Sequence, residues 1–252
     1  MAEFVVVIPS RYASVRLPGK PLIAIAGKPM IQHVHERASE SRAAEVVIAT
    51  DDQRIADAAE SFGAVVCMTD TRHASGTERI AEVADVMEWP DETIVVNLQG
   101  DEPTMPATLI EECADLLADE AVDIATLASP LLSLEDFRNP NCVKVIRDVE
   151  GHAIYFSRAT VPYPRDAAAE QRAADAALHH HGIYAYRCGV LRRLVAAEPS
   201  ELELCEHLEQ LRALGLGMTI AVGIPSVRPG IGVDTPDDIA RVARQLAAAA
   251  ST

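Results

Sequence analysis

The sequence predicts an α/β fold built on a mostly parallel mixed sheet flanked by helices, and three observations predict it. Phe4 to Ile8 is an unbroken aromatic and β-branched run with no period of two, as in a strand covered on both faces of a parallel sheet. Strand-like and helix-like segments then alternate regularly. After Ser129 that rhythm stops: shorter strand candidates are separated by polar or proline-bearing loops, which marks an antiparallel excursion within roughly 130–190. With 252 residues, 49% of them hydrophobic, the chain can bury one large core, so a single domain carrying that small excursion suffices.

The elements follow in order. Phe4 to Ile8 is expected to be the central strand. From Pro29 to Arg42 apolar residues recur at helical spacing through Met30, Ile31, Val34 and Ala38. Glu45 to Ala49 reads as a strand, Asp52 to Phe62 as a helix and Ala64 to Met68 as a third strand. Gly76 to Met87 is the next helix, Thr93 to Leu98 the next strand and Ala107 to Ala118 another helix, and right-handed crossovers follow from that pattern. In the excursion, Cys142 to Arg147, Ala153 to Phe156 and Gly182 to Arg187 are strand candidates, and Asp166 to Ala177 reads equally as a mobile loop or a short exposed helix. A helix over Glu201 to Leu214, a strand over Met218 to Val222 and a helix from Pro236 onward complete the chain.

Charge narrows the function. Lysine and arginine number 22 against 38 acidic residues, a formal net charge of −16, which argues against nucleic acid or an anionic membrane as partner. The five cysteines, Cys67, Cys113, Cys142, Cys188 and Cys205, form no CxxC pair and suggest reduced thiols rather than a disulfide framework or a zinc site. Glu3 stands where a secretory leader would be basic and the apolar run is short, so a cytoplasmic protein is expected.

Against this acidic background, Pro9-Ser10-Arg11-Tyr12-Ala13-Ser14-Val15-Arg16-Leu17-Pro18-Gly19-Lys20 gathers Arg11, Arg16 and Lys20 on one loop directly after the first strand. Open α/β sheets bind ligands at the carboxyl ends of strands, so a phosphate chain is the natural guest. The loop lacks both GxxxxGK[ST] and GxGxxG; fixed cations replace a glycine nest. A distant loop, Asn97-Leu98-Gln99-Gly100-Asp101-Glu102-Pro103, ends another strand with a carboxylate. Asp101 and Asp234 are the metal candidates, because Mg²⁺ takes one or two carboxylates and leaves its other positions to phosphate, substrate and water. Asp234-Thr235-Pro236 also reads as a helix start, and a cap would itself fix the carboxylate.

Ile8 to Lys20 resembles the I-P-A-R-x-x-S-x-R-L-P-G-K signature of the sugar cytidylyltransferases, and Gln99 to Pro103 resembles their acidic loop. The similarity continues through Ser75-Gly76-Thr77-Glu78-Arg79, Asn139-Pro140-Asn141, Tyr155 to Ala159, Gly182-Ile183-Tyr184, Leu208 to Arg212 and Gly232 to Pro236, covering nearly the whole chain. The resemblance implies a Rossmann-like nucleotidyltransferase fold with an antiparallel dimerisation subdomain, and a homodimer. It implies cytidylyl transfer from CTP to a sugar acid, 3-deoxy-D-manno-octulosonate (Kdo), for lipopolysaccharide assembly, with two Mg²⁺ ions in the ternary complex.

By the same resemblance, Arg11, Lys20, Asp101 and Asp234 carry catalysis, and Pro9, Arg11, Arg16, Lys20, Ser75, Arg79 and Gln99 bind the nucleotide. The sugar acid falls to Gln99, Arg158, His180, Tyr184, Glu209 and Gln210. Read alone, Ser75 is a helix cap, and the Glu209 helix is a solvated face with charge pairs such as Glu209 with Arg212, which Glu203 and Glu206 fit well. In His179-His180-His181, alternation along a strand sends His180 opposite to its neighbours, so the three do not converge on one ion, while His180 and Tyr184 share a face. Two departures stand out: Ser10 replaces a common alanine of the signature and Val15 a common threonine.

Overall fold

The computed structural model describes residues 3–13 and 17–249. Arg16 and Val15 lie outside the described residues.

In chain order the elements are β1 (Phe4–Ser10), β2 (Ala24–Ile25), β3 (Lys28–Pro29), α1 (Met30–Ser39), β4 (Glu45–Thr50), α2 (Gln53–Ser61) and β5 (Val65–Met68). They continue with α3 (Gly76–Val86), β6 (Ile94–Asn97), α4 (Ala107–Asp115), β7 (Ile124–Pro130), α5 (Leu134–Arg138), β8 (Lys144–Arg147) and β9 (Ala153–Ser157). The last are α6 (Glu170–Ala176), β10 (Leu178–Arg187), α7 (Cys188–Ala196), α8 (Glu201–Glu206), α9 (Gln210–Gly215), β11 (Ile220–Gly223) and α10 (Pro236–Ala249).

The main sheet runs β11-β7-β10-β6-β1-β4-β5, with β8 pairing both β10 and β9. β6, β1, β4 and β5 are parallel, as are β11 and β7, whereas β10 runs antiparallel to both β6 and β7. The expected centre moves by one place: β6, not β1, is the middle of that seven-strand path, because three strands from the second half of the chain add on the β6 side. The chain leaves β1 toward β4 and later returns to β6 on β1's other flank, which makes the carboxyl ends of β1 and β6 the switch point of the sheet.

Both faces of the sheet are covered, which is why β1 carries no period of two. Val6 and Ile8 pack with Ile31 and Val34 of α1, Ile55 of α2 and Leu109 and Ile110 of α4. Val5 and Val7 face the other way, toward Ile80 and Val83 of α3, Leu191 and Leu194 of α7 and Leu211 of α9. Side-chain oxygens cap the starts of α2, α3 and α5: Asp52 accepts from the Arg54 amide, Ser75 from Glu78, and Ser133 from Asp136.

Several expectations change in detail. β10 begins at Leu178, four residues before the expected Gly182, because its early part pairs with β7 and β8. β2, β3, β7, α5 and α7 are additional to the expected elements. Residues 170–176 form α6, and its inner face is covered: Ala173, Ala174 and Ala177 pack with Phe137. The expected helix over Glu201–Leu214 is two helices, broken where His207 adopts φ 51°, ψ 50°. That break lets Leu208 turn into the core and brings Glu209 to the start of α9. Glu203 and Glu206 are not on a solvated face: Glu203 pairs with the buried Arg212 at 2.6 Å, and Glu206 accepts from Ser157 Oγ and the Arg158 amide, each at 2.7 Å.

Candidate active site

The site is assembled at the carboxyl ends of β1 and β6. After β1 the chain passes through Arg11 to Gly19, whose φ of 69° suits glycine, and whose missing side chain leaves room for the Tyr12 ring, 3.1 Å from where a Cβ would lie. Arg54 stacks its guanidinium on the outer face of that ring. Lys20 thereby enters the crevice, with its Nζ 2.6 Å from Asp101 Oδ2 and 3.3 Å from Asp234 Oδ1. One cation sits between two carboxylates that come from segments more than a hundred residues apart.

Around this pair lies a cavity of about 610 Å³, with Arg11, Lys20, Gly100, Asp101 and Asp234 among its walls. Gly100 permits the crossing of the two loops: a Cβ there would stand 2.6 Å from Ser10 Oγ and 2.9 Å from the Pro9 carbonyl oxygen. A second cavity of about 110 Å³ adjoins it between Arg11, His73, Ser75, Gly76 and Arg79. A third, of about 210 Å³, is lined by Thr77, Asn97, Tyr184, Tyr186, Glu209 and Gln210. Gln99 borders all three. Its amide donates to Asn97 Oδ1 at 3.0 Å, which orients it across the junction.

The electrostatics differ between the cavities. Burial raises the Glu209 carboxyl above the ordinary range, partly offset by donation from Thr77 Oγ1 at 2.6 Å and Ser75 Oγ at 3.0 Å. Burial also raises the phenols of Tyr184 and Tyr186 well above their usual value, so both remain donors. Burial, reinforced by His181 and His179, lowers His180 to about 3, leaving a neutral ring beside Tyr184 with centroids 5.2 Å apart. Beside the acidic pair, burial and then the charges of Asp101 and Asp234 raise Glu102 to about 8.

Not every candidate side chain opens onto the cavities. Pro9, Arg11, Lys20, Ser75, Arg79, Gln99, Asp101, Tyr184, Glu209, Gln210 and Asp234 all line one or more of them. Arg79 is 3% exposed and its guanidinium is engaged by Asp51 at 2.9 Å and by the Thr69 hydroxyl. Arg158 donates to the carbonyls of Pro140, Glu206 and His207 and borders none of the three cavities, nor does His180, whose Nε2 lies 3.1 Å from Thr126 Oγ1. His181 bonds Ser129 at 2.9 Å, and although the register shifts between His181 and Tyr184, the rings of His180 and Tyr184 remain in contact.

Sequence reasoning passed over Thr77, Asn97 and Tyr186. Tyr186 shares the parity of His180 and Tyr184 along β10, so strand alternation held the signal for it. Three buried side-chain atoms, Ser10 Oγ, Tyr184 OH and Gln210 Nε2, have no hydrogen-bond partner among the described residues. Each belongs to a residue bordering a cavity, and unmet buried polar atoms of this kind suit a polar ligand that completes them.

A doubly wound sheet with a cationic loop after its first strand and paired acidic loops at the switch point defines a nucleotidyltransferase. The cytidylyltransferase family model matches residues 5–220, and the chain belongs to that family. Among solved structures, CMP:2-keto-3-deoxy-manno-octonic acid synthetase complexed with CTP is 42% identical over 98% of this chain and 99% of that one, with a TM-score of 0.87. Two more distant structures share the fold. A cytidylyltransferase from Leptospira borgpetersenii serovar Hardjo-bovis (strain JB197) is 16% identical, with a TM-score of 0.64 over 98% of this chain and 87% of that one. 4-Diphosphocytidyl-2C-methyl-D-erythritol synthase is 13% identical, with a TM-score of 0.65 over 98% and 99%.

Proposed function

We propose that this protein activates Kdo by cytidylyl transfer from CTP, giving CMP-Kdo and pyrophosphate for lipopolysaccharide assembly. The observation that carries this reading is the meeting of three cavities at Gln99, with the carboxylates of Asp101 and Asp234 gathered around one cation at the edge of the largest. The 42% identity to a synthetase of that name supports the choice of sugar acid.

In this reading Arg11, Arg16 and Lys20 neutralise the triphosphate in the large cavity. Pro9, Ser75 and Arg79 serve the nucleoside; Arg79, tied to Asp51 and Thr69, contributes a fixed wall rather than a free fork. Gln99, Tyr184, Glu209 and Gln210 hold the sugar acid, while His180 supports Tyr184 through ring contact. Arg158 reaches the sugar carboxylate only by exchanging some of its three carbonyl partners. The anomeric oxygen attacks the α-phosphorus, the bond from that phosphorus to the α,β-bridging oxygen breaks, pyrophosphate leaves and the hydroxyl proton passes to solvent.

Asp101 and Asp234 fit Mg²⁺: both are hard oxygen donors, and Lys20 Nζ already marks a cation position between them. When bound there, the ion supplies charge neutralisation and acidifies the attacking hydroxyl. A second Mg²⁺ would draw on the substrate's phosphates rather than on further carboxylates of this site, and would supply charge neutralisation to the leaving pyrophosphate.

A homodimer formed through the region 130–190 belongs to the same reading; exposed Leu132, Val149, Ile154 and Tyr163 support it. No helix among the described residues is long and apolar enough to cross a membrane. The deciding experiment is pyrophosphate release from CTP and Mg²⁺ with Kdo, its 8-amino analogue and N-acetylneuraminate in parallel. Kdo should give the largest kcat/KM; preference for either other acid overturns the substrate, and no release with any of them overturns the activity.

A further inference from the structure

Asp234 is held in register with Asp101 by a short zipper between the two loops that carry them. Val233 N donates to the Asp101 carbonyl at 2.9 Å. Three residues along, Thr104 Oγ1 accepts from Ile231 N at 2.7 Å and donates to the Ile231 carbonyl at 3.3 Å. Thr104 is 7% exposed, so neither bond is readily replaced by water. Glycines allow the approach: a Cβ at Gly230 would lie 2.3 Å from the Thr104 carbonyl oxygen and 2.5 Å from its Oγ1, and one at Gly232 would lie 2.7 Å from Glu102 Oε1. Among the described residues, the Thr104 hydroxyl is the side chain that bonds both polar groups of Ile231.

We propose that Thr104 is a positioning residue for the acidic pair: its hydroxyl pins the 230–233 segment to the 101–105 loop and so sets where Asp234 stands relative to Asp101. This rests on the reading of Asp101 and Asp234 as the metal-holding pair. Thr104 lines none of the three cavities; its effect passes through Ile231 and Val233. Removing the hydroxyl loosens the 230–233 segment, so Asp234, still paired with Lys20 and bonded through its amide to Asp238, is held less exactly beside Asp101, which weakens cation capture more than nucleotide binding.

The test compares the full-length protein with Thr104→Val and Thr104→Ser. In metal-free protein, hydrogen exchange at the Ile231 and Val233 amides should quicken by about tenfold or more in Thr104→Val, as expected when local opening becomes easier. In the presence of CTP, Mn²⁺ binding followed by the electron paramagnetic resonance of free Mn²⁺ should weaken about five- to tenfold in Thr104→Val, the size expected from losing a buried hydrogen-bonding hydroxyl. The KM for CTP at saturating metal should stay within about twofold, by the same reasoning that the phosphate cations are untouched. Thr104→Ser, which retains both bonds, should restore exchange and Mn²⁺ affinity.

Wild-type Mn²⁺ affinity in Thr104→Val, or weakened affinity in Thr104→Ser, overturns the proposal and leaves the proposed function standing. A wild-type protein that captures no Mn²⁺ with CTP overturns the reading of the acidic pair and the role of Thr104 together.

Discussion

Lys20 holds two carboxylates together, and that fixes what its removal should do. Its ammonium neutralises Asp101 and Asp234, and in the proposed reading the same charge also meets the triphosphate. Lys20→Ala should therefore raise the apparent Kd for CTP by roughly tenfold, in line with loss of one charge-assisted contact; a titration matching wild type would remove Lys20 from the phosphate site. Asp101→Asn and Asp234→Asn keep shape but halve the acidic pair. Each should lower kcat by roughly 100-fold or more, the scale of losing a main electrostatic contributor to the transition state, with a smaller effect on CTP affinity. Near-normal pyrophosphate release by either variant would exclude it from the reacting centre. The same residues show what local sequence could give: Arg11, Lys20 and Asp101 were readable because charge directly after a strand is a local signal. The commitment of Arg158 to three carbonyls was not readable, because those partners come from segments far apart in the chain.

At the scale of elements, the break at His207 decides the third cavity. A continuous helix from Glu201 onward would not give Leu208 and Glu209 their present directions. The break holds because both flanking helices are anchored: Ser200 and Glu203 form a capping box, and Glu203 makes two bonds to Arg212 across the break. With side-chain exposures of 12% and 7%, Glu203 and Arg212 form a buried pair whose disruption leaves one charge unmet. Glu203→Ala should cost about 3 kcal/mol in urea unfolding and should also impair Kdo turnover through displacement of Glu209. A loss below ~1 kcal/mol would mean that the break does not depend on this pair. Gly100→Ala tests the other junction: the Pro9 carbonyl cannot yield like a flexible side chain, so the crossing loops must part and turnover should fall even where the protein still folds. Activity equal to wild type would show that the loops are not held at that spacing.

For the molecule as a whole, β10 joins the two halves of the sheet and holds His180 and His181 half-buried, where desolvation lowers their pKa values to about 3 and about 4. The unfolded chain takes up protons near the ordinary value of 6.5 that the folded chain refuses. Their contribution to stability is therefore complete above pH 6.5 and declines as pH falls from there toward 3. Glu209, raised by burial, acts with the opposite sign above its ordinary value. The difference between wild type and a His180→Asn/His181→Asn double variant isolates the histidine contribution. The wild-type urea midpoint should drop more steeply between pH 7 and 5 than that of the double variant, and parallel slopes would show that these rings do not resist protonation.

The sequence by itself determined the α/β alternation, the doubly covered first strand, the cationic loop and the acidic loop, since each is written in neighbouring residues through periodicity, caps and charge. The helix over Pro236 and the carboxylate before it were equally legible. Only the tertiary structure decided that β6 is the middle strand, that the helix after Glu201 breaks, that α6 is covered on one side, and that Asp234 meets Asp101 at Lys20. Those outcomes depend on which distant segments can pack without leaving a polar group unmet or forcing a Cβ into a backbone, and neither condition has a local signature in the chain.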